Sequence, residues 1–198
     1  MLTHRYSLTH LTGAIVIAIT LSAAPLGLCA AAPNKGPSAS QILHNAESQA
    51  RSGHKNIMLE FGASWCINCK LYDRMLNDHS MRAILNRYFV FTTMDTGERP
   101  NELHQADTPG GVAFENSIGG KDAGWPFLVI LNADGKLIVN SYRPDEKSST
   151  GDNIGYPVLP QEVDWFIVML HRGAPSMSQH DLNKIHAWLT SKAATILH

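Results

Sequence analysis

Apolar positions recur along this chain with different periods, and each period marks a kind of element. In QILHNAESQAR, Ile42, Leu43, Ala46 and Ala50 fall on one side of a helix. Asn56 to Phe61 is instead a continuous apolar run, a short strand bounded by Gly53 and Gly62. After Trp65 the four-residue spacing of Ile67, Leu71 and Met75 predicts a helix, and Ser80 stands where it would cap a further turn carrying Ile84 and Leu85. YFVFTTMD, from Tyr88 to Asp95, is rich in aromatic and β-branched residues and reads as a second strand. PFLVILNADGKLIVNSY holds two β-rich runs around Asn132-Ala133-Asp134-Gly135, a hairpin signal. Two helices close the chain. The first begins at Pro160, a favoured first-turn residue, and carries Val163, Phe166, Ile167 and Leu170. The second is capped by Ser178, with Asp181 three residues on, and buries Leu182, Ile185 and Leu189. Two stretches, Thr96 to Trp125 and Arg143 to Leu159, show no period and read as irregular insertions.

The order helix, strand, helix, strand, loop, hairpin, helices implies an α/β domain whose mixed central sheet is covered by helices. The N-terminus falls outside that plan. MLTHRYSLTHLT holds Arg5 and no acid, Gly13 to Leu28 runs apolar, and Ala30 to Ala32 follow. Basic, apolar and small-residue regions in that order are a secretory signal peptide over 1–31. An uncleaved membrane anchor is the alternative, while lipidation of Cys29 is disfavoured by Leu28 before it. Residues 32–40 then form a linker containing PNKGPSAS, and 41–198 the folded domain. A formal charge of −1 leaves no electrostatic footprint for nucleic acid or an anionic membrane.

Export changes the cysteine arithmetic, since removing the leader takes Cys29 with it and leaves only Cys66 and Cys69. One closely spaced pair in an exported domain is not a disulfide scaffold. The pair sits where a strand hands over to a helix, in EFGASWCINCK. There the first thiol meets unpaired backbone N–H groups and the helix dipole, which favour the attacking thiolate. The second thiol lies one turn inside, within reach for a disulfide. A zinc site would need further ligands, and His54, His79 and His104 show no ligand spacing. A c-type haem would need His after the second Cys, where Lys70 stands. Inert buried thiols fit poorly with two cysteines at a helix start, and the redox reading fits best.

MLEFGASWCINCK resembles the active-site segment of the thioredoxin superfamily, with Trp65 before the first cysteine. The resemblance covers roughly Ile57 to Tyr142 and implies a thioredoxin-like fold, here with two loop insertions and an extra C-terminal helix, Ser178 to Lys192. It implies Cys66 as nucleophile and Cys69 as resolving thiol. It also implies a cis-proline opposite the pair, matched by Trp125-Pro126, whose backbone would pair with a substrate strand. Glu60 matches the buried acid that would accept the resolving thiol's proton; by strand alternation alone it could equally face solvent. The sequence departs from the family in Ile67-Asn68 between the cysteines, and in Phe91 where thioredoxins carry a lysine.

These residues point to an exported, periplasmic thiol–disulfide oxidoreductase that needs no cofactor. Its clients would be proteins with disulfides, reached through Trp65, Trp125 and Pro126. ASWCINCK is closer to reducing thioredoxin-like domains than to strong oxidants, and a reductant in an oxidising compartment calls for a membrane thiol electron donor. The alternative is a non-catalytic module on the same scaffold, holding a protein partner or a soft metal, with the pair structural.

Overall fold

Strand β1 (Asn56–Gly62) runs between two neighbours of opposite sense. It pairs in parallel with β2 (Phe89–Asp95) and antiparallel with β3 (Phe127–Leu131), which in turn carries β4 (Leu137–Asn140), giving the order β2-β1-β3-β4. This computed structural model describes Met1 and residues 36–99, 106–145 and 148–196. Apart from Met1, the leader assigned to 1–31 lies outside the described residues.

The continuous apolar run of β1 is continuous because both of its faces are covered. Ile57, Leu59 and Phe61 turn to one side with Phe127, Val129 and Leu131, against helix α1 (Ala39–Gly53) through Ala39, Ala46 and Ala50. Met58 turns to the other side with Leu128 and Ile130. That layer is filled by α2 (Ile67–Asn77), α3 (His79–Leu85), α5 (Pro160–Gly173) and α6 (Gln179–Ile196), with Tyr72, Met75, Leu85, Phe166, Leu170 and Ile185 almost wholly buried. This mixed sheet between helical layers is the thioredoxin-like fold that the Cys-pair segment implied. Among the described residues no helix is long and apolar enough to cross a membrane.

Local chemistry explains where the elements begin. Ser38 caps α1 in a capping box with Gln41, so the helix starts at Ala39, ahead of the predicted Gln41. Asn132 Oδ1 accepts from the N–H groups of Asp134 and Lys136, and Gly135 takes φ 74°, closing the expected β3–β4 turn. The α3 cap is a correction. Asp78, not Ser80, holds that position, its Oδ1 accepting from the backbone of Ser80 (2.9 Å) and Met81 (3.2 Å). The Ser80 hydroxyl donates to the same oxygen instead.

Both insertions contain structure that hydrophobic periodicity does not show. The first holds α4 (Gly111–Ser117), which follows Gly110 at φ 81° with no side-chain cap, so no start signal is written in its sequence. The second holds a hairpin, β5 (Tyr142–Asp145) with β6 (Ser148–Asn153). Its polar strands, YRPD and SSTGDN, lack alternation and include Pro and Gly, which argue against a strand by propensity. Helix α6 is capped by Ser178 as expected, its Oγ accepting from Asp181 N–H, and extends past Lys192 to Ile196.

Candidate active site

Past Gly62 the chain leaves β1, turns through Ala63 to Trp65 with Cys66 N–H donating to Ala63 O (3.0 Å), and enters α2 at Cys66. Cys66 is the N-cap, in extended conformation at φ −69°, ψ 119°. Its Sγ faces the first turn and accepts from Cys69 N–H at 3.2 Å. Cys66 and Cys69 are joined as a disulfide with Cα atoms 5.3 Å apart, within the range such a bond spans. Neither cysteine is broadly exposed, Cys66 at 5% and Cys69 at 6%, whereas Ile67 between them is 75% exposed. Cys66 reaches solvent through a depression of about 610 Å³ that it lines with Trp65, Ile67, Asn68, Arg99 and Trp125.

Beneath the pair lies Glu60. Alternation along β1 puts it on the same side as Met58, toward α2, and it is 3% exposed, so the solvent-facing alternative does not hold. Burial lifts its carboxyl from an ordinary 4.5 to about 8; the charges of Asp73 and Asp95 push the same way, and a hydrogen bond with Thr93 pulls back. Thr93 is its register partner on β2, while Phe91 pairs with Met58 one step behind and packs toward the apolar core. Gly62 lies between acid and thiol. A Cβ there would stand 3.1 Å from Cys69 Sγ and 3.3 Å from Glu60 Oε1, so the bare glycine leaves open the space that both groups border.

Four consecutive residues after β2, Thr96 to Arg99, form a strap that holds the tryptophans of the depression, and Arg99 lines the depression itself. The Thr96 hydroxyl accepts from Trp125 Nε1 (3.1 Å) and bonds onward to the buried Glu115 carboxyl. The Gly97 carbonyl accepts from Trp65 Nε1 (2.8 Å). Gly97 is also pressed against the Trp125 ring, which any Cβ at that position would overlap. The Glu98 carboxylate accepts from the Ser64 N–H and hydroxyl, and its own N–H donates to Asp107. The Arg99 guanidinium lies over the Trp65 ring, 4.0 Å from its centroid. Trp65 and Trp125 thus meet edge to face, centroids 5.7 Å apart, both held by the same strap.

Opposite the strap, the Trp125–Pro126 peptide is cis. The loop around it is clamped by Asn153 at the end of β6. Asn153 Nδ2 donates to the carbonyls of Ala123 (2.9 Å), Gly124 (3.1 Å) and Pro126 (3.1 Å). Its Oδ1 accepts from Ser141 Oγ (2.6 Å) and from Gly155 N–H (3.2 Å). The structure therefore brings Cys66, Trp65 and Trp125 to one opening, with Cys69 bonded to Cys66, Glu60 buried in β1 and Pro126 buried next to Trp125. The strap and Asn153 are the parts that sequence reading missed. Gly97-Glu98-Arg99 directly after a strand offered a weak signal of an ordered turn, and Asn153 offered none. His54 ends α1 and His79 begins α3, and among the described residues no group of His, Cys, Asp and Glu is arranged to hold a metal. His104 lies outside the described residues.

Residues 40–166 match the family model Thioredox_DsbH, described as "Protein of unknown function, DUF255". The chain belongs to the Thioredox_DsbH family. Solved structures similar to the chain include the following three. A disulphide isomerase from Xylella fastidiosa Temecula1 is 21% identical over 75% of this chain and 88% of its own, with TM-score 0.42. A DsbH oxidoreductase is 23% identical over 60% and 82%, with TM-score 0.36. The oxidised C-terminal domain of Neisseria meningitidis DsbD is 21% identical over 52% and 82%, with TM-score 0.39. No curated protein matches the chain. Membership in the Thioredox_DsbH family agrees with the topology: this is a thioredoxin-like chain that carries a Cys66–Cys69 disulfide.

Proposed function

We propose that this protein is an exported thiol–disulfide oxidoreductase that reduces client disulfides in the periplasm. The observation that carries the reading is Cys66 at the N-cap of α2, its sulfur turned toward the Cys69 N–H at the floor of an aromatic-walled depression. Helix N-terminal N–H groups stabilise a thiolate there, and the thiolate is the nucleophile.

In the reduced protein, Cys66 thiolate attacks one sulfur of a client disulfide. A mixed disulfide forms and the client's other sulfur leaves as thiolate. Cys69 then attacks Cys66 Sγ, which expels the second client thiolate and closes the Cys66–Cys69 bond. Two electrons pass from the pair to the client. Glu60 takes the proton from Cys69 during the second attack, a role suited to a buried carboxyl whose pKa is about 8. Trp65 and Trp125 receive the client's apolar side chain, and the backbone before Pro126 pairs with the client strand. The pair is reset by a thiol donor, expected at the membrane because the periplasm is oxidising. Export rests on the basic, apolar and small-residue order of residues 1–31.

The test is mixed-disulfide trapping with insulin reduction as the companion assay. Cys69→Ser should accumulate covalent complexes with disulfide-bearing proteins, and Cys66→Ser should not. Trapping by Cys66→Ser alone would reverse the roles. If neither variant trapped anything and the wild type failed to reduce insulin, the scaffold would be a binding module.

A further inference from the structure

We infer that Arg99 makes the site selective for clients carrying a carboxylate side chain close to the reacting cysteine. The inference rests on the reductase reading above and adds the substrate class. Trp65, Cys66, Ile67, Asn68, Arg99 and Trp125 line the depression, and Arg99 is the charged residue among them. Its neighbour Glu98 forms no ion pair with it; that carboxylate accepts instead from the Ser64 backbone N–H and hydroxyl. Among the described residues no carboxylate lies within ion-pairing distance of Arg99. The guanidinium is instead laid over the Trp65 ring at 4.0 Å, and Trp65 is fixed by its bond to Gly97 O.

That arrangement is a reader rather than a structural pair. Stacking on indole satisfies the flat face of a guanidinium and leaves its edge, with the N–H donors, free for a carboxylate. An Arg–carboxylate contact there takes two parallel hydrogen bonds, a geometry that lysine does not reproduce. A client segment lying extended over the depression presents every second side chain to the same wall. With its cysteine sulfur at Cys66, the side chain two positions away comes to the rim where Arg99 stands. An acidic residue would be drawn to that rim and a basic one repelled.

The test uses single-cysteine peptides, each a mixed disulfide with thionitrobenzoate, differing only in Glu, Gln or Lys two residues before or after the cysteine. Full-length protein, reduced beforehand and freed of the reductant, releases the coloured thiolate when Cys66 attacks the peptide sulfur, and the second-order rate constant of that single turnover gives kcat/KM. We expect Glu over Lys by roughly five- to tenfold in kcat/KM at low salt, as for an exposed ion pair gained against one repelled. The preference should shrink as ionic strength rises. Arg99→Gln should bring the Glu-to-Lys ratio to within about twofold, and Arg99→Lys should retain part of it. Equal rates for the three peptides with the wild type would overturn the inference while leaving the reductase reading intact. So would an Arg99→Gln variant that slowed all peptides alike with the ratio preserved, since Arg99 would then act on Trp65 or Cys66. No release from any peptide would bring down both readings together.

Discussion

Behind the sheet, α5 and α6 meet the strands mainly through apolar packing, with Phe166, Met169, Leu170 and Ile185 on Met58, Leu128 and Ile130. Two hydrogen bonds stand beside it, Asn56 Nδ2 donating to Gly173 O (2.7 Å) and Trp165 Nε1 to Asn140 O (3.3 Å). At the end of the sheet that carries the cysteines, the same strands are met by short loops tied down through hydrogen bonds. There Asn153 holds three carbonyls, Glu98 holds Ser64, and Thr96 and Gly97 each hold an indole. Apolar burial is non-directional and tolerates small displacements. A hydrogen bond fixes an atom to within a few tenths of an ångström of its partner. The difference assigns stability to the back layer and the placement of the reacting groups to the front.

One pair of substitutions breaks that contrast most visibly. Phe166→Ala removes a ring with no solvent exposure and should cost about 3–5 kcal/mol in chemical denaturation. Its folded fraction should still reduce insulin at close to the wild-type rate. Asn153→Ala should cost less, about 1–3 kcal/mol, because its partners lose their bonds near the surface where water can replace part of them. It should nevertheless lower kcat/KM for a protein client by more than Phe166→Ala does. If Asn153→Ala left client reduction untouched, the front would not depend on its clamp.

Glu60 is the exception that sharpens the comparison, a titrating group buried in the otherwise apolar middle. Well below pH 4.5 its carboxyl is neutral whether the chain is folded or not, and it costs nothing. As pH rises from there toward 8, the unfolded chain ionises Glu60 and the folded chain does not. Stability therefore falls across that window and levels off above it. Glu60→Gln removes the penalty, so the variant should match the wild type near pH 4 and exceed it above pH 8, by on the order of 5 kcal/mol. Denaturation midpoints across the range would show the divergence, and parallel curves would mean Glu60 ionises freely when folded. The same variant should slow resolution of the mixed disulfide near neutral pH while the first attack by Cys66 changes little.

What could be read from the sequence follows the same division. Helices α5 and α6, strand β1 and the β3–β4 turn were legible because burial writes a period and turns demand particular residues: Val163, Phe166 and Leu170 recur at helical spacing, and Asn132 to Gly135 spell a turn. The Cys66–Cys69 pair stood out by its spacing where a strand hands over to a helix, and Glu60 only through the resemblance to the thioredoxin superfamily. The polar hairpin β5–β6 and the short helix α4 were not legible, since both are held by particular partners rather than by a pattern. Asn153 illustrates the reason. It bonds carbonyls 27 to 30 residues earlier, and nothing local marks an asparagine for that task. Arg99 likewise reads as an ordinary surface cation until the fold lays it across Trp65.

The smallest change tests whether acid and thiol are coupled through the space at Gly62. A Cβ there would come within 3.1 Å of Cys69 Sγ and 3.3 Å of Glu60 Oε1, both side-chain atoms able to yield a few tenths of an ångström. Gly62→Ala also stiffens the unfolded chain, which favours folding by about 0.4–1 kcal/mol. Crowding opposes that gain, and the net stability change should stay under about 1 kcal/mol. Kinetics should respond more than stability does. The added methyl occupies the space that Glu60 and Cys69 both border, so proton transfer during resolution should slow by roughly three- to tenfold, while attack by Cys66 on a small disulfide keeps its rate. Stopped-flow release from a preformed Cys66 mixed disulfide separates the two steps. If resolution in Gly62→Ala ran as fast as in the wild type and kept its pH profile, Cys69 would shed its proton by another route, and the raised pKa of Glu60 would be a consequence of burial without a part in the reaction.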